Sequence, residues 1–327
     1  MTQQLATPVA GFASTIREQV ARVVVGQEAV VERILISLLT GGHLLLQGYP
    51  GLAKTLLVNA VARSIDLHFA RVQFTIDLLP GDILGGEILD QARGCMRVER
   101  GPIFTNLLLA DEINRASPKV QSALLEAMQE RVVTLAGEPH PLPTPFLVIA
   151  TQNPVEQAGT FDLPEAQLDR FLLCHRLCYP SATEEAEVLR RTLGLGLNRR
   201  DGGAVPQTAF DLIDAEDPLP RAALSEAMAA VQTVHVSPVF QEHCLALVRA
   251  TREDPRLELG ASPRASIALA TASRARAFLH DRDHVLPEDL HALAADVLLH
   301  RLRPSYEALA EGADAACVLD DIRSRLG

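Results

Sequence analysis

Gly48-Tyr49-Pro50-Gly51-Leu52-Ala53-Lys54-Thr55 follows the apolar run Leu44-Leu45-Leu46 and precedes a helical pattern that begins near Leu56. A buried strand, a glycine-bearing turn and a helix start, in that order, aim several backbone N–H groups and the positive end of a helix dipole at one point. That point favours a phosphate. In such a loop Lys54 reaches the β- and γ-phosphates, and the Thr55 hydroxyl ligates the Mg²⁺ that neutralises them. The spacing departs from G-x-x-x-x-G-K-[ST] at one place, where Ala53 stands for the second glycine. Ala53 is therefore expected in a backbone conformation open to an L-residue, with Gly51 as the flexible element. The plainer alternative is a glycine-proline turn ahead of an amphipathic helix, and the rest of the chain decides between the two.

Outward from the loop, short apolar runs alternate with helical patterns. His43 to Gln47 reads as the first buried strand, Lys54 to Ile65 as the helix behind the loop, and Phe69 to Phe74 as the second strand. Residues 75–101 break the rhythm: Gly81, Gly85, Gly86, Gly94 and Gly101 punctuate short alternating pieces, which marks an insertion with hairpin character. The run Asn106 to Ala110 closes on Asp111-Glu112, and Ser117-Pro118 opens the next helix as N-cap and N1 residues. Arg131 to Leu135 with the proline-rich 139–145 suggests a second hairpin, and Phe146 to Ala150 and Phe171 to Tyr179 are further strands. This alternation predicts an α/β fold with a mostly parallel sheet. Upstream, residues 12–40 read as two helices joined by a turn at Val25-Gly26-Gln27.

After Pro180 the texture changes. Residues 192–208 are rich in glycine without periodicity, so a mobile connection is expected there. Helix starts at Ser237-Pro238, Ser262-Pro263 and Leu286-Pro287-Glu288-Asp289 then predict a small all-helical domain, which divides the chain into 1–180 and 181–327.

A chain of 327 residues with 48% hydrophobic and 22% charged residues accommodates two folded cores. Its net charge of -11 argues against a general nucleic-acid surface, because phosphate-backbone binding runs on clustered Lys and Arg. Five cysteines, at 95, 174, 178, 244 and 317, fit a reducing compartment, and Cys174 and Cys178 lack the second ligand pair that a structural zinc site needs. Met1 to Ala10 carries no basic residue and no long apolar run, so neither a signal peptide nor a span is expected and the expected location is the cytoplasm.

The acids of the site are expected at Asp111 and Glu112. In a parallel sheet, ligands bind at the carboxyl ends of the strands, where this pair falls relative to the loop. Asp111 would hold Mg²⁺ through water and Glu112 would polarise the attacking water; the alternative is an acidic pair that merely leaves a strand for a solvated turn. The loop is joined by Phe74-Thr75-Ile76-Asp77-Leu78-Leu79-Pro80-Gly81-Asp82, Ala110-Asp111-Glu112-Ile113-Asn114-Arg115-Ala116, Ala150-Thr151-Gln152-Asn153-Pro154 and Glu165-Ala166-Gln167-Leu168-Asp169-Arg170-Phe171. Together these five motifs resemble the MoxR branch of AAA+ ATPases, over nearly the whole chain.

That resemblance implies an AAA+ P-loop NTPase domain whose parallel sheet has the order 5-1-4-3-2, a helical lid, and hydrolysis of ATP with Mg²⁺. It implies that Val25, Gly26 and Gln27 line the adenine, and that Gly48, Tyr49, Pro50, Gly51, Leu52, Ala53, Lys54, Thr55 and Asp111 bind the nucleotide, with Thr55 and Asp111 on the metal. Glu112 becomes the catalytic glutamate that polarises the attacking water, Asn153 the sensor 1 amide that orients it, and Arg170 an arginine finger that reaches the nucleotide of the neighbouring subunit. A salt bridge with Asp169 is the plainer alternative for Arg170. Arg264 matches sensor 2, bonded to the γ-phosphate of its own chain. Its place in the first turn of a helix, where the dipole disfavours a cation, also requires a partner for it. The inserts near 75–101 and 131–145 would project towards a pore or a partner. For the assembly, the resemblance implies a hexameric ring with a chaperone-like role and a partner bearing a von Willebrand factor A domain. Two other functions stay open: a DNA-acting or chelatase-type motor, against which the acidic balance weighs, and a nucleotide-gated scaffold with negligible turnover, against which the set Glu112, Asn153 and Arg170 weighs.

Overall fold

The computed structural model describes residues 11–49, 51–91, 94–153, 159–200, 203–213 and 218–326. Five strands form one parallel sheet: β1 (Leu44–Gln47), β2 (Phe69–Gln73), β3 (Leu107–Asp111), β4 (Leu147–Gln152) and β5 (Leu173–Arg176). Their order across the sheet is β2-β3-β4-β1-β5, which from the other edge is the expected 5-1-4-3-2. The runs that predict these strands are continuous and apolar because both faces are covered; Leu44 to Leu46 and Leu107 to Leu109 are fully buried. Since β4 lies between β1 and β3, the loop after β1 and the acids that end β3 open on the same edge of the sheet, on either side of Thr151-Gln152.

On this sheet pack α1 (Phe12–Val23), α2 (Glu28–Thr40) and α3 (Lys54–Ser64), followed by α4 (Pro80–Leu84), α5 (Pro118–Glu130) and α6 (Glu165–Leu168). The C-terminal half is α7 (Ala182–Leu193), α8 (Arg221–Val231), α9 (Pro238–Glu253), α10 (Pro263–Leu279), α11 (Pro287–Leu298), α12 (Tyr306–Ala310) and α13 (Ala315–Leu326). The expected starts of α5, α9, α10 and α11 hold, each with proline in the first turn. Among these four starts, Ser237 is the one that uses its hydroxyl as a cap, accepting the Phe240 N–H at 3.1 Å. Ser117 makes no side-chain cap, contrary to expectation, and Ser262 turns its hydroxyl onto Asp169 instead.

The insertion at 75–101 contains α4 and an antiparallel hairpin, Gly85–Asp90 with Cys95–Arg100. Gly85, at φ +93, is required at its root: a Cβ there would lie 2.2 Å from the Glu99 carbonyl oxygen. Val132–Leu135 pairs with Glu138–Pro141 as the second hairpin. The glycine-rich stretch 192–208 also contains a hairpin, Leu197–Arg200 with Gly203–Pro206, closed by the Gln207 N–H donating to the Gly196 carbonyl at 2.9 Å. It leads into a 3-10 turn at Ala209–Leu212. β5 is shorter than Phe171 to Tyr179, because only Leu173–Arg176 pairs with β1. A further short pair, Leu257–Leu259 with Arg303–Pro304, lies among the C-terminal helices.

One hydrophobic cluster fills one side of the sheet and continues through α2 into α8, α9, α10, α11 and α13; a second, around Phe74, Leu124, Phe146 and Phe171, fills the other side. α2 is buried nearly all round, at Val30, Val31, Ile34, Leu35, Ile36, Leu38 and Leu39, because sheet and helical half both pack on it. A polar seam fixes that packing. Arg33 donates to Asp296 at 2.5 Å, His175 lies 3.0 Å from the same carboxylate, and Glu32 is 2.8 Å from His280. His43, at the start of β1, accepts the Val148 N–H at Nδ1 and donates from Nε2 to the Met128 carbonyl; burial lowers its pKa to about 4, so the ring is a neutral tie between β1, β4 and α5.

Candidate nucleotide site

Lys54 opens α3, and its Nζ donates to the Gly48 carbonyl at 3.0 Å. Burial lowers its pKa, and the charges of Asp111 and Glu112 oppose that shift. Ala53 takes φ 52 and ψ 26, in the left-handed region where glycine is at home, so the expectation of an ordinary backbone at Ala53 is corrected. The strain costs about 1 kcal/mol relative to glycine. It is imposed because the chain must turn from β1 into a helix whose first N–H groups face the cavity. Gly51 is also left-handed, at φ +86. A cavity of about 440 Å³ is lined by the loop from Gly51 to Thr55 together with Asp111, Glu112 and Asn153, so the strand-end acids, the polar end of β4 and the loop meet as expected. Pro50 lies outside the described residues, as does Pro154.

Three groups that the sequence reading did not single out hold the acids of this wall in place. Thr151 donates its hydroxyl hydrogen to Asp111 Oδ1 at 2.6 Å and accepts the Glu112 N–H at 2.9 Å, fixing both acids to β4. Arg71, on β2, donates from Nη2 and Nε to Asp111 Oδ2 at 2.7 and 3.1 Å, and from Nη2 to Gln73 Oε1 at 2.8 Å. Gln73 in turn donates to Glu112 Oε2 at 2.8 Å, and Arg115 Nε lies 3.0 Å from the same oxygen. Arg71 and Gln73 are two residues apart and therefore share a face, and the register sets Gln73 beside Asp111. Glu112 itself sits at φ 58 and ψ 50, a left-handed conformation that turns its carboxylate away from the strand direction. Phe210, from the 3-10 turn after the third hairpin, also lines this cavity.

A neighbouring cavity of about 370 Å³ shares Gly51, Leu52, Ala53 and Leu56 with the first and is walled by Val23, Val24, Val25, Tyr179, Val188 and Leu212, with Gln27, Thr192, Arg22, Glu185 and Arg191 as its polar and charged groups. A slot with apolar walls and a polar rim suits a planar base. Val25 and Gln27 line it; Gly26 does not, but at φ +69 its missing Cβ leaves room for Glu184, whose Oε1 would be 2.5 Å away. Tyr49 lines neither cavity but stacks on Tyr179, which lines the second, ring centroids 5.1 Å apart.

Arg170 and Arg264 line neither cavity. Arg170 donates to Gln129 Oε1 at 2.5 Å and to the Leu125 carbonyl at 3.3 Å. Its plainer partner, Asp169, is held by Arg301 at 2.8 Å and by the Ser262 hydroxyl at 3.1 Å. Arg264 is the first-turn cation expected to need a partner, and Asp169, 3.9 Å away, is that partner. α10 packs on α2, and its N-terminus meets the segment before β5 instead of the loop.

The donor set fits a hard divalent cation, since Thr55 and Asp111 present a hydroxyl and a carboxylate from one cavity wall. Residues 43–173 match the family profile of the ATPase family associated with various cellular activities, and residues 249–322 match the AAA lid domain. The chain is 44% identical to Chaperone MoxR1 of Mycobacterium tuberculosis over 313 residues, 93% of this chain and 79% of that one. It is 33% identical to Protein MoxR of Paracoccus denitrificans over 317 residues, 90% of each. The chain belongs to the MoxR family of AAA+ ATPases.

A crystal structure of a candidate ATPase from Cytophaga hutchinsonii shares this fold, with a TM-score of 0.86 and 41% identity over 97% of this chain and 96% of that one. The two matches place the parallel sheet in the AAA ATPase domain and the helices within residues 249–322 in its lid. Among the described residues no helix is long and apolar enough to cross a membrane, and no cluster of three His, Cys, Asp or Glu could hold a metal ion.

Proposed function

We propose that this chain is a Mg²⁺-dependent ATPase that works as a ring, in the simplest case a hexamer, and remodels partner protein complexes in the cytoplasm. The observation that carries the reading is a division of labour. Lys54, Thr55, Asp111, Glu112 and Asn153 line one cavity, whereas Arg170 and Arg264 flank Asp169 and line none. An arginine that lines no cavity of its own chain suits the nucleotide of a neighbour, so Arg170 is assigned to act between subunits; Arg264 is proposed as sensor 2, on the γ-phosphate of its own chain.

In this mechanism the loop N–H groups and Lys54 bind the phosphates. Val25 and Gln27 border the base. Asn153 orients water, and Glu112 accepts its proton as the bond to the terminal phosphate breaks. Thr55 and Asp111 would hold Mg²⁺, which when bound supplies neutralising charge to the phosphate oxygens. Arg170 from the next subunit stabilises charge that develops on the transferred group. A relative named as a chaperone supports the remodelling role, and a von Willebrand factor A domain protein is the partner class proposed. The net charge of -11 weighs against a DNA motor.

Mixing subunits tests the assignment across the interface. Arg170→Ala and Glu112→Gln proteins are each expected to be nearly inactive, and a mixture is expected to regain hydrolysis, because some sites then combine an intact Glu112 with an intact Arg170. A mixture no more active than its components would remove Arg170 from the neighbour's site.

A further inference from the structure

Asp111 has one oxygen committed to the fold and one committed to a movable cation. Oδ1 is fixed by the buried Thr151 hydroxyl at 2.6 Å. Oδ2 carries two N–H groups of Arg71, whose side chain is 45% exposed against 13% for the aspartate, so the guanidinium approaches from the cavity side. Arg71 and Lys54 are the cations among the residues that line this cavity, and Asp111 and Glu112 are its carboxylates. The only other tether of Arg71 among the described contacts is the Gln73 amide oxygen, a neutral acceptor.

A guanidinium and a divalent cation compete for the same carboxylate oxygen, because like charges that close repel. Once displaced, Arg71 keeps its anchor on β2 in the wall of a cavity built for phosphates, and a planar fork of N–H donors fits phosphate oxygens as well as it fits a carboxylate.

We propose that Arg71 is a counter-ion that exchanges partners within its own subunit: it neutralises Asp111 until a divalent cation takes that carboxylate, and then binds the terminal phosphate of the nucleotide. The inference rests on the nucleotide-site reading above and deepens it, because it gives the chain a positioning residue that distinguishes ATP from ADP.

Two binding measurements test it without reference to turnover. In the first, affinities for ATP and ADP are measured by calorimetry with saturating Mg²⁺. Arg71→Ala is expected to lose about tenfold in ATP affinity while ADP changes less than about threefold, as befits one charge-assisted contact. Retained ADP binding also reports that the variant is folded, and Arg71→Lys is expected to recover part of the difference. In the second, Mn²⁺ alone is titrated as a spectroscopic probe. Arg71→Ala is expected to bind it more tightly than the wild type, because Asp111 Oδ2 is released.

A residue that merely braced Asp111 would give the reverse sign, weaker Mn²⁺ binding and equal losses for ATP and ADP, and either result overturns the proposal. Wild-type protein that binds no ATP would instead defeat the nucleotide-site reading itself.

Discussion

Replacing Lys54 by alanine is expected to abolish measurable ATP binding. The ammonium is half-buried at the start of α3, held 3.0 Å from the Gly48 carbonyl, in the cavity that Asp111 and Glu112 also line. Its removal does more than delete one contact to the phosphates. It leaves the two carboxylates facing an anion with Arg71 alone among the cavity's cations, so attraction turns to repulsion. Truncating a charged partner in such a place costs about 3 kcal/mol or more, roughly a hundredfold or greater in affinity. The fold is expected to survive, since Lys54 contributes its aliphatic stem and one hydrogen bond and not a core position. Calorimetric titration with ATP, alongside a thermal melt of the same sample, checks both statements. Retained affinity in a folded variant would contradict the phosphate-loop assignment.

Glu112→Gln separates binding from chemistry. Glutamine preserves the length of the side chain and can still accept the Gln73 amide hydrogen, so the bond now at 2.8 Å survives and the cavity keeps its shape. It cannot take a proton from water. ATP affinity is therefore expected to stay within a few fold of wild type, while turnover falls about 10²- to 10⁴-fold, the usual worth of a positioned general base. Affinity and steady-state phosphate release, measured on one preparation, check the pair. Near-normal turnover would remove Glu112 from the reaction, whereas negligible turnover in the wild type itself would bring the scaffold reading to the front.

The parts of this fold that are legible in sequence are those where local pattern and tertiary environment agree. Leu44 to Leu46 and Leu107 to Leu109 read as strands because a parallel sheet covered on both faces needs unbroken apolar runs. Ser-Pro pairs read as helix starts because proline suits a position whose N–H has no partner inside the helix. Gly85 and Gly101 betray the first hairpin, where each takes the other's backbone within the space of a Cβ.

What sequence leaves hidden depends on packing between distant elements. Arg71 and Gln73 look like the solvent face of an edge strand until the register brings them to Asp111 and Glu112. Thr151 is one polar residue at a strand end until β4 is seen to run between loop and acids. Arg264 reads as a first-turn cation that needs an anion, and nothing local says that α10 packs on α2 and finds that anion in Asp169. Ala53 gives no sign of its left-handed backbone, which the turn into α3 imposes at a cost that sequence preference alone would avoid.

The central claim is a composite site that exists only when subunits meet, and it is tested most directly by Mg²⁺-dependent ATP hydrolysis per subunit across a wide range of protein concentration, with particle mass followed in the same samples. The account predicts specific activity that rises as rings form, because each Glu112 then gains an Arg170 from the next chain. Full specific activity in a particle of monomer mass would contradict it.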